Sequence, residues 1–520
     1  MDDHNPWTSV FPPGYRASGL LLHVTSLPSA YGIGDVGPAA FAWVDRLHES
    51  NQVWWQALPL GPTGYSNSPY QCLSSFAGNQ LLISPELLID DGLLQADECR
   101  GGFSATTIDY DIVIPFKNAL LKAAWTRFRA GVRKDLRPAY DEFCDSQAHW
   151  LQDYALFQAL KARYDTTCYL EWPDELIRRV PSALAEARRR LANEIDQVRL
   201  AQFLLFRQWS RLKAYARGKG VRLIGDLPFF VSPNASDVWA NPELFLLDER
   251  RHPLFTAGVP PDYCSIRGQL WGNPVYDWEA HRRTGYAWCI DRIKALLAHV
   301  DVIRLDHFRA FADAWHVPAG AHSEEMGRWA PGPGADFFGV VQSELGALPF
   351  IVDDLGLITS AVSTLRDQFH LPGTRVLQFA FNGRSDNIHL PHNCPPNAVV
   401  FTGTDDNPPT RQWFEELPDR ERQCLWRYLG RPEGEIRDVA RELIRLAWSS
   451  PSALAIAPLQ DLLNLGSEGR MNVPDRAEGN WCWRVTRPML SATIFDWLRE
   501  QTNMSHRLGF VRSPHMEVGS

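Results

Sequence analysis

Eight short apolar segments recur along the 520-residue chain, and helix-like stretches separate most of them. Each segment is rich in β-branched or other apolar residues and ends in polar, Gly or Pro residues, which is typical of a buried strand. An order of strand, helix and strand favours parallel pairing, and eight strands close a (β/α)8 barrel. The sequence therefore predicts an α/β fold, a TIM barrel, with strands at residues 19–24, 53–60, 221–227, 300–306, 350–354, 375–381, 398–404 and 453–458.

Two long stretches between the predicted strands are expected to be inserted into the barrel. Residues 85–220 separate the second and third strands, and apolar residues near the end of this stretch recur at alternating spacings of three and four, which predicts helix. A ninth apolar run, at residues 314–317, is assigned to an excursion over residues 308–348 after the fourth strand. Because no flexible linker is evident, we expect one catalytic domain over residues 1–520 with inserted helical subdomains.

Charge and cysteine content exclude several classes of function. The net charge of -9, without a Lys/Arg block, argues against nucleic acid as a partner. Nine cysteines without a CxxC pair or a zinc-like spacing suit reduced thiols. The acidic, Pro-rich start lacks the features of a secretion signal, and no run of 18 apolar residues suits a membrane span. We therefore expect a cytoplasmic protein that contacts neither nucleic acid nor a membrane.

Ionisable residues stand at the carboxyl ends of four predicted strands, where parallel barrels carry their catalytic groups. Arg304 and Asp306 are two residues apart and share one face of a strand, so the guanidinium is expected to keep Asp306 ionised by lowering its pKa. An ionised, oriented carboxylate suits a nucleophile, although a purely structural Arg–Asp pair is an alternative. The other strand-end acids are Asp226, the pair Asp353 and Asp354, and the pair Asp405 and Asp406.

Such carboxyl groups suit chemistry at a glycosidic bond. Two of them about 5 to 5.5 Å apart define a retaining mechanism, in which one attacks the anomeric carbon and the other protonates the leaving oxygen. Adjacent residues of a strand face opposite ways, so only one of Asp353 and Asp354 is expected to point inward unless the backbone bends. The same holds for Asp405 and Asp406, and the pattern alone does not choose between the members of either pair.

Ten long motifs, spread over about 450 residues, carry a resemblance to a known family. The chain resembles the 4-α-glucanotransferases, also called amylomaltases or disproportionating enzymes, of glycoside hydrolase family 77. The motifs are LLHVTSLPSAYGIGDVG (21–37), LPLGPTGYSNSPYQCLSSFAGN (58–79), RLIGDLPFFVSPNASDVWANPELFLLD (222–248), AGVPPDYCSIRGQLWGNPVYDW (257–278), VDVIRLDHFRAF (300–311), GRWAPGPG (327–334), DDLGLIT (353–359), LQFAF (377–381), FTGTDDN (401–407) and PLQDLLNLG (458–466).

The resemblance implies an enzyme that moves α-1,4-glucan segments between maltooligosaccharides, acting as donors and acceptors, through a covalent glucosyl intermediate and without a metal or organic cofactor. It assigns the nucleophile to Asp306, the acid/base to Asp353 and the stabiliser of the transition state to Asp406. The residues that it places around the glucan are Arg304, Asp226, Tyr65, Gln269, Trp271 and Asp405, with Gln269 and Trp271 on a mobile loop over the cleft. Packing roles for Tyr65 and Trp271, and a turn-capping role for Asp226, are the alternatives.

Two positions in the motifs depart from the family pattern. The family has EDLG and THDN, whereas this chain reads DDLG and TDDN. Asp353 is one methylene shorter than Glu, and a misplacement of that size can reduce the rate about 100-fold. Asp405 sets a second potential anion beside Asp406, which should raise one of the two pKa values. An α-glucan hydrolase and a catalytically impaired glucan-binding homologue therefore stay open as alternatives.

Overall fold

The computed structural model describes residues 9–261, 268–321, 326–432, 438–474 and 476–511. Its strands are β1 (Tyr15–Leu21), β2 (Trp54–Gln56), β3 (Arg222–Leu227), β4 (Phe255–Val259), β5 (Gln269–Pro274), β6 (Val302–Leu305), β7 (Asp313–Pro318), β8 (Arg328–Pro331), β9 (Phe350–Val352), β10 (Gly373–Val376), β11 (Ala398–Phe401), β12 (Leu454–Pro458) and β13 (Leu508–Val511).

A closed parallel barrel forms the centre of the molecule. Strands β1, β2, β3, β6, β9, β10, β11 and β12 pair in that order, and β12 pairs back with β1. Each of the eight predicted segments contributes one of these strands, so the prediction of a (β/α)8 barrel is confirmed. Strand β13 pairs with β1 in the antiparallel direction.

Helices surround the barrel and fill the long connection between β2 and β3. They are α1 (Pro38–Glu49), α2 (Pro85–Asp90), α3 (Tyr110–Arg129), α4 (Arg137–Ser146), α5 (Ala148–Tyr164), α6 (Asp174–Ile177), α7 (Pro181–Arg190), α8 (Ala192–Gly218), α9 (Ser236–Ala240), α10 (Trp278–Arg283), α11 (Ala287–His299), α12 (Gly334–Leu345), α13 (Ser360–Gln368), α14 (Thr410–Glu416), α15 (Asp419–Leu429), α16 (Val439–Ser449), α17 (Leu459–Leu462) and α18 (Ala492–Met504). Within the described ranges, no helix is long and apolar enough to cross a bilayer.

The ninth apolar run forms a strand outside the barrel. It is β7, which pairs antiparallel with β4 and β8, while β4 also pairs antiparallel with β5. This second sheet brings together residues that precede β6 and residues that follow it. The sequence analysis did not predict β4 and β5 as strands, because their Gly- and polar-rich residues lack the apolar character of the barrel strands.

Two buried glutamines of α8 attach this helix to the segment that follows β2. The backbone N–H of Gly78 donates to Gln202 Oε1 over 2.9 Å, and Gln202 Nε2 donates to the Gly78 carbonyl over 3.0 Å. Gln208 makes the same pair of contacts with Ser84, over 2.8 and 3.3 Å. These four hydrogen bonds satisfy backbone groups of Gly78 and Ser84 and hold residues 78–84 against the inserted helices.

Candidate active site

Neighbouring strand ends bring three of the predicted acids to one side of the barrel mouth. Asp226 on β3 is paired in register with Arg304 on β6. The backbone N–H of Asp306 donates to the Leu227 carbonyl over 3.1 Å, and that of Asp353 donates to the Leu305 carbonyl over 3.0 Å. Since these hydrogen bonds continue the ladder one residue beyond each strand, the positions of Asp306 and Asp353 are set by the barrel itself.

Arg304 contacts all three of these carboxyl groups. Its Nη1 donates to Asp226 Oδ2 over 2.7 Å and to Asp306 Oδ1 over 3.0 Å, and its Nη2 donates to Asp353 Oδ2 over 2.7 Å. The two guanidinium nitrogens are bonded to one carbon, so the contacted oxygens of Asp306 and Asp353 lie within about 8 Å of each other. This upper bound is compatible with the about 5 to 5.5 Å expected of a retaining pair.

The guanidinium of Arg304 is held as a cation by these acids. Its side chain is only 8% exposed, and burial alone would lower its pKa. The charges of Asp226, Asp353 and Asp306 outweigh burial and raise the pKa of Arg304 well above its ordinary value. The same contacts make Arg304 the common counterion of the cluster, because truncating it would leave three acids without their partner.

Burial dominates the acidity of Asp306. It raises the pKa of Asp306 well above the ordinary value, and the charges of Asp226 and Asp353 act in the same direction. Arg304 lowers that pKa, but by less. Arg304 thus acts in the expected direction, but the expected net lowering of the Asp306 pKa is wrong, because burial and the neighbouring acids outweigh the guanidinium. The sequence pattern does not show how many acids share this one cation. Protons in such a cluster belong to the group of carboxyls as a whole.

Asp353 and Asp354 face opposite ways. Asp353 Oδ2 meets Arg304, while Asp353 Oδ1 is buried and has no hydrogen-bond partner among the described residues. Asp354 turns away and accepts from Arg366 Nη1 over 2.5 Å and from the backbone N–H of Thr374 over 2.7 Å. Because adjacent strand residues face opposite ways, Asp353 lies at the barrel mouth, whereas Asp354 binds Arg366 of α13 and the backbone of β10.

Asp405 and Asp406 both lie at the barrel mouth, because the backbone bends after β11. The strand ends at Phe401, and the two acids follow in irregular structure where strand alternation does not apply. Asp406 is exposed and accepts from Asn472 Nδ2 over 2.6 Å. Asp405 is buried, and its Oδ2 lies 3.1 Å from the Tyr70 hydroxyl oxygen.

Tyr70 is a site residue that the sequence analysis missed. Its hydroxyl oxygen also lies 3.1 Å from Asp226 Oδ2, and its ring centroid is 5.8 Å from that of Trp481. Tyr70 belongs to the motif of residues 58–79, in which Tyr65 was chosen instead. The side chain of Tyr65 lies outside the described part of the structure; its backbone begins a short 3-10 helix, Tyr65–Asn67.

Gln269 and Trp271 lie on β5 of the second sheet. Trp271 Nε1 donates to Gln269 Oε1 over 2.7 Å, so the two side chains support each other. The Trp271 ring lies edge-on to the ring of His307, with centroids 4.8 Å apart. His307 directly follows Asp306, and this contact places Trp271 beside the acid cluster. The Trp271 ring also contacts that of Phe230, so Trp271 has the packing contacts of the alternative as well as a position beside the acid cluster.

Comparisons with known proteins all indicate the same family. A family model described as 4-alpha-glucanotransferase matches residues 22–490. The 4-alpha-glucanotransferase of a Synechocystis strain is 46% identical over 93% of this chain and 95% of its own length. That of Thermus thermophilus is 43% identical over 95% of this chain and 99% of its own. Among solved structures, an amylomaltase from Streptococcus agalactiae in complex with acarbose superposes with a TM-score of 0.91 at 35% identity, covering 95% of this chain and 99% of the other.

Arg304→Gln tests whether the guanidinium is the counterion of the cluster. Without it, Asp226 and Asp306 keep pKa values in the folded state that are raised above those in the unfolded state, so stability is lost as these two acids ionise with rising pH. We expect the melting temperature of the variant to fall further below wild type at about pH 8 than at about pH 5. Scanning calorimetry across this range measures the difference. Arg384→Gln, which breaks an exposed pair with Asp386, is the matched control. A deficit that does not change with pH would contradict the assignment.

Proposed function

The chain belongs to the 4-alpha-glucanotransferase family, and we propose that Asp306, Asp353 and Asp406 perform the transfer in two displacements. It is a glycosyl-transfer enzyme, and α-1,4-linked maltooligosaccharides are proposed as both donors and acceptors. The observation that carries the assignment is the simultaneous contact of Arg304 with Asp306 and Asp353. This contact supports a nucleophile and an acid acting at one glycosidic bond.

In the first displacement, a carboxylate oxygen of Asp306 attacks C1 of the donor glucosyl unit. The bond from C1 to the 4-oxygen of the next sugar breaks, and Asp353 gives its proton to that oxygen. The result is a glucosyl ester of Asp306 and a departed sugar with a free 4-hydroxyl. Asp353 Oδ1 is the oxygen that Arg304 leaves unpaired, and we propose that the side chain turns to bring this buried oxygen to the glycosidic oxygen when the donor binds.

In the second displacement, the 4-hydroxyl of an acceptor sugar takes the place of the departed one. Asp353, now ionised, accepts the hydroxyl proton as the sugar oxygen attacks C1. The ester bond to Asp306 breaks and its carboxylate is restored next to Arg304. Two inversions at C1 leave an α-linkage, so the product keeps the geometry of the donor.

The remaining acids serve the sugar and the charge that develops on it. Positive charge builds on the ring carbon and oxygen in each transition state, and the carboxylates of Asp406 and Asp306 stabilise it. Asp226 is buried beneath the barrel mouth, and we propose that it serves the glucan subsites by holding Arg304 and Tyr70 in place. Arg304 fixes Asp226, Asp306 and Asp353 with respect to one another.

Transfer requires that an acceptor sugar reaches the glucosyl ester before water does. Trp271 lies beside His307 and is hydrogen-bonded to Gln269, and we propose that these two side chains exclude water once an acceptor is bound. The near full-length relatives reported above are 4-alpha-glucanotransferases, which favours transfer over the hydrolase and the impaired binding protein.

We also propose that the enzyme acts in the cytoplasm. The eight cysteines of the described residues are free thiols, which fits a reducing compartment. The net charge of -9 does not favour nucleic acid as a partner, and soluble glucans are the proposed partners.

Incubation with maltotriose tests the proposed activity. A transferase converts maltotriose into glucose together with longer maltooligosaccharides, and chromatography separates these products. We expect Asp306→Asn to reduce turnover by about four orders of magnitude, because the amide is a poor nucleophile. Asp386→Asn, at an exposed position, serves as the control. Short sugars alone would indicate a hydrolase, and unchanged maltotriose with measurable affinity would indicate a binding protein.

Asp353→Glu tests the effect of the shorter acid. The extra methylene carries the carboxyl about 1 Å farther from the backbone, toward the glycosidic oxygen, so we expect kcat for maltotriose to rise about tenfold or more. The glucose released from maltotriose gives the rate. An unchanged or lower kcat would mean that the barrel mouth is already adapted to Asp at this position.

A further inference from the structure

The Tyr70 hydroxyl stands between two carboxyl groups that come from different strands. Its oxygen is 3.1 Å from Asp226 Oδ2 and 3.1 Å from Asp405 Oδ2, so the hydroxyl is within hydrogen-bond distance of both carboxyl oxygens. A phenol has one hydrogen and can donate to only one of them at full strength. If both carboxyls were ionised, one of the two contacts would join oxygens without a hydrogen between them.

The surroundings of the two carboxyls differ and show where the second hydrogen belongs. Asp226 is paired with Arg304 over 2.7 Å, which favours its ionised form. Asp405 has no Arg or Lys within ion-pair distance among the described residues, and its neighbour in the chain is the acid Asp406. An ionised Asp405 would be a buried charge without a counterion, which is strongly unfavourable.

We propose that Asp405 is a neutral carboxylic acid in the resting enzyme and donates its proton to the Tyr70 hydroxyl, which in turn donates to Asp226. Asp405 is thereby a positioning residue: it holds Tyr70 at the barrel mouth through a directed chain of two hydrogen bonds. The consequence for catalysis rests on the proposed function, whereas the protonation itself does not.

Burial and the neighbouring acids favour the neutral form of Asp405, and Arg304 opposes them without outweighing them. Burial raises the pKa of Asp405 to about 8, and the charges of Asp406 and Asp226 add to this effect while Arg304 opposes it. Burial raises the pKa of Asp226 only to about 6, because Arg304 is its direct partner. His23 and Asp405 line one cavity. Burial lowers the pKa of His23 to about 3, so the imidazole is neutral and offers Asp405 no counterion.

A neutral Asp405 changes how the TDDN motif is understood. The replacement of His by Asp at this position does not place a second negative charge beside Asp406 at neutral pH. It keeps a proton donor where the family pattern has one, and it leaves Asp406 as the anion that stabilises positive charge on the sugar. Above about pH 8 the chain of hydrogen bonds loses the proton of Asp405 and repulsion between Asp405 and Asp406 follows.

Infrared spectroscopy of the free enzyme, labelled with ¹³C at the aspartate carboxyls, tests the protonation directly. We expect a protonated-carboxyl band that disappears as the pH rises from about 6 to about 10. Because other buried acids also titrate, the difference spectrum between wild type and Asp405→Asn isolates the contribution of Asp405, and we expect it to contain this band. Tyr70→Phe should shift that contribution because the acceptor of the carboxyl hydrogen is lost. Asp386→Asn, at an exposed aspartate, should leave the protonated-carboxyl region unchanged.

Turnover adds a second readout. Asp405→Asn keeps a donor of the same shape that cannot ionise, so we expect the alkaline fall in kcat/KM to move to higher pH by about one unit or more. A difference spectrum between wild type and Asp405→Asn that contains no titrating protonated-carboxyl band would overturn the inference. Because the infrared measurement uses no substrate, that failure is distinct from a failure of the maltotriose experiment.

Discussion

The shared ion pairs of Arg304 are the interaction on which the rest of the site depends. One buried guanidinium meets Asp226, Asp306 and Asp353. Three acids in this volume would repel one another, and each would lose its water shell on burial. Arg304 offsets both effects and fixes the directions of the carboxyl groups, so electrostatic balance and catalytic geometry have the same origin.

The fold explains why this cluster can be rigid. Parallel strands β3, β6 and β9 are neighbours, so their carboxyl ends deliver the acids to one place with spacings set by backbone hydrogen bonds. Tyr70 arrives from the connection after β2, and the glutamines Gln202 and Gln208 of α8 hold the end of that connection. The inserted helices thus contribute to the site without lining it, because they restrain the segment that carries a ring to the barrel mouth.

Local patterns in the sequence were sufficient for the barrel and for the contact between Arg304 and Asp306. Runs of buried residues mark strands, and residues two apart on a strand share a face. The contacts of Tyr70 were not predictable in this way, because its partners lie 156 and 335 residues away in the chain. Alternation also failed for Asp405 and Asp406, since β11 ends before them. The pKa of Asp306 depends on the number of acids around Arg304, which only the three-dimensional arrangement reveals.

In the proposed mechanism, the acid beside Arg304 forms the covalent bond to the sugar. Reaction with 5-fluoro-α-D-glucosyl fluoride, which slows both steps and accumulates the glycosyl-enzyme, followed by peptic digestion and mass spectrometry, tests it most directly. The account predicts a single fluoroglucosyl group on the peptide that contains Asp306, with fragmentation placing it on that residue. A label on Asp353 or Asp406, or an unlabelled protein that still turns over the reagent, would contradict it.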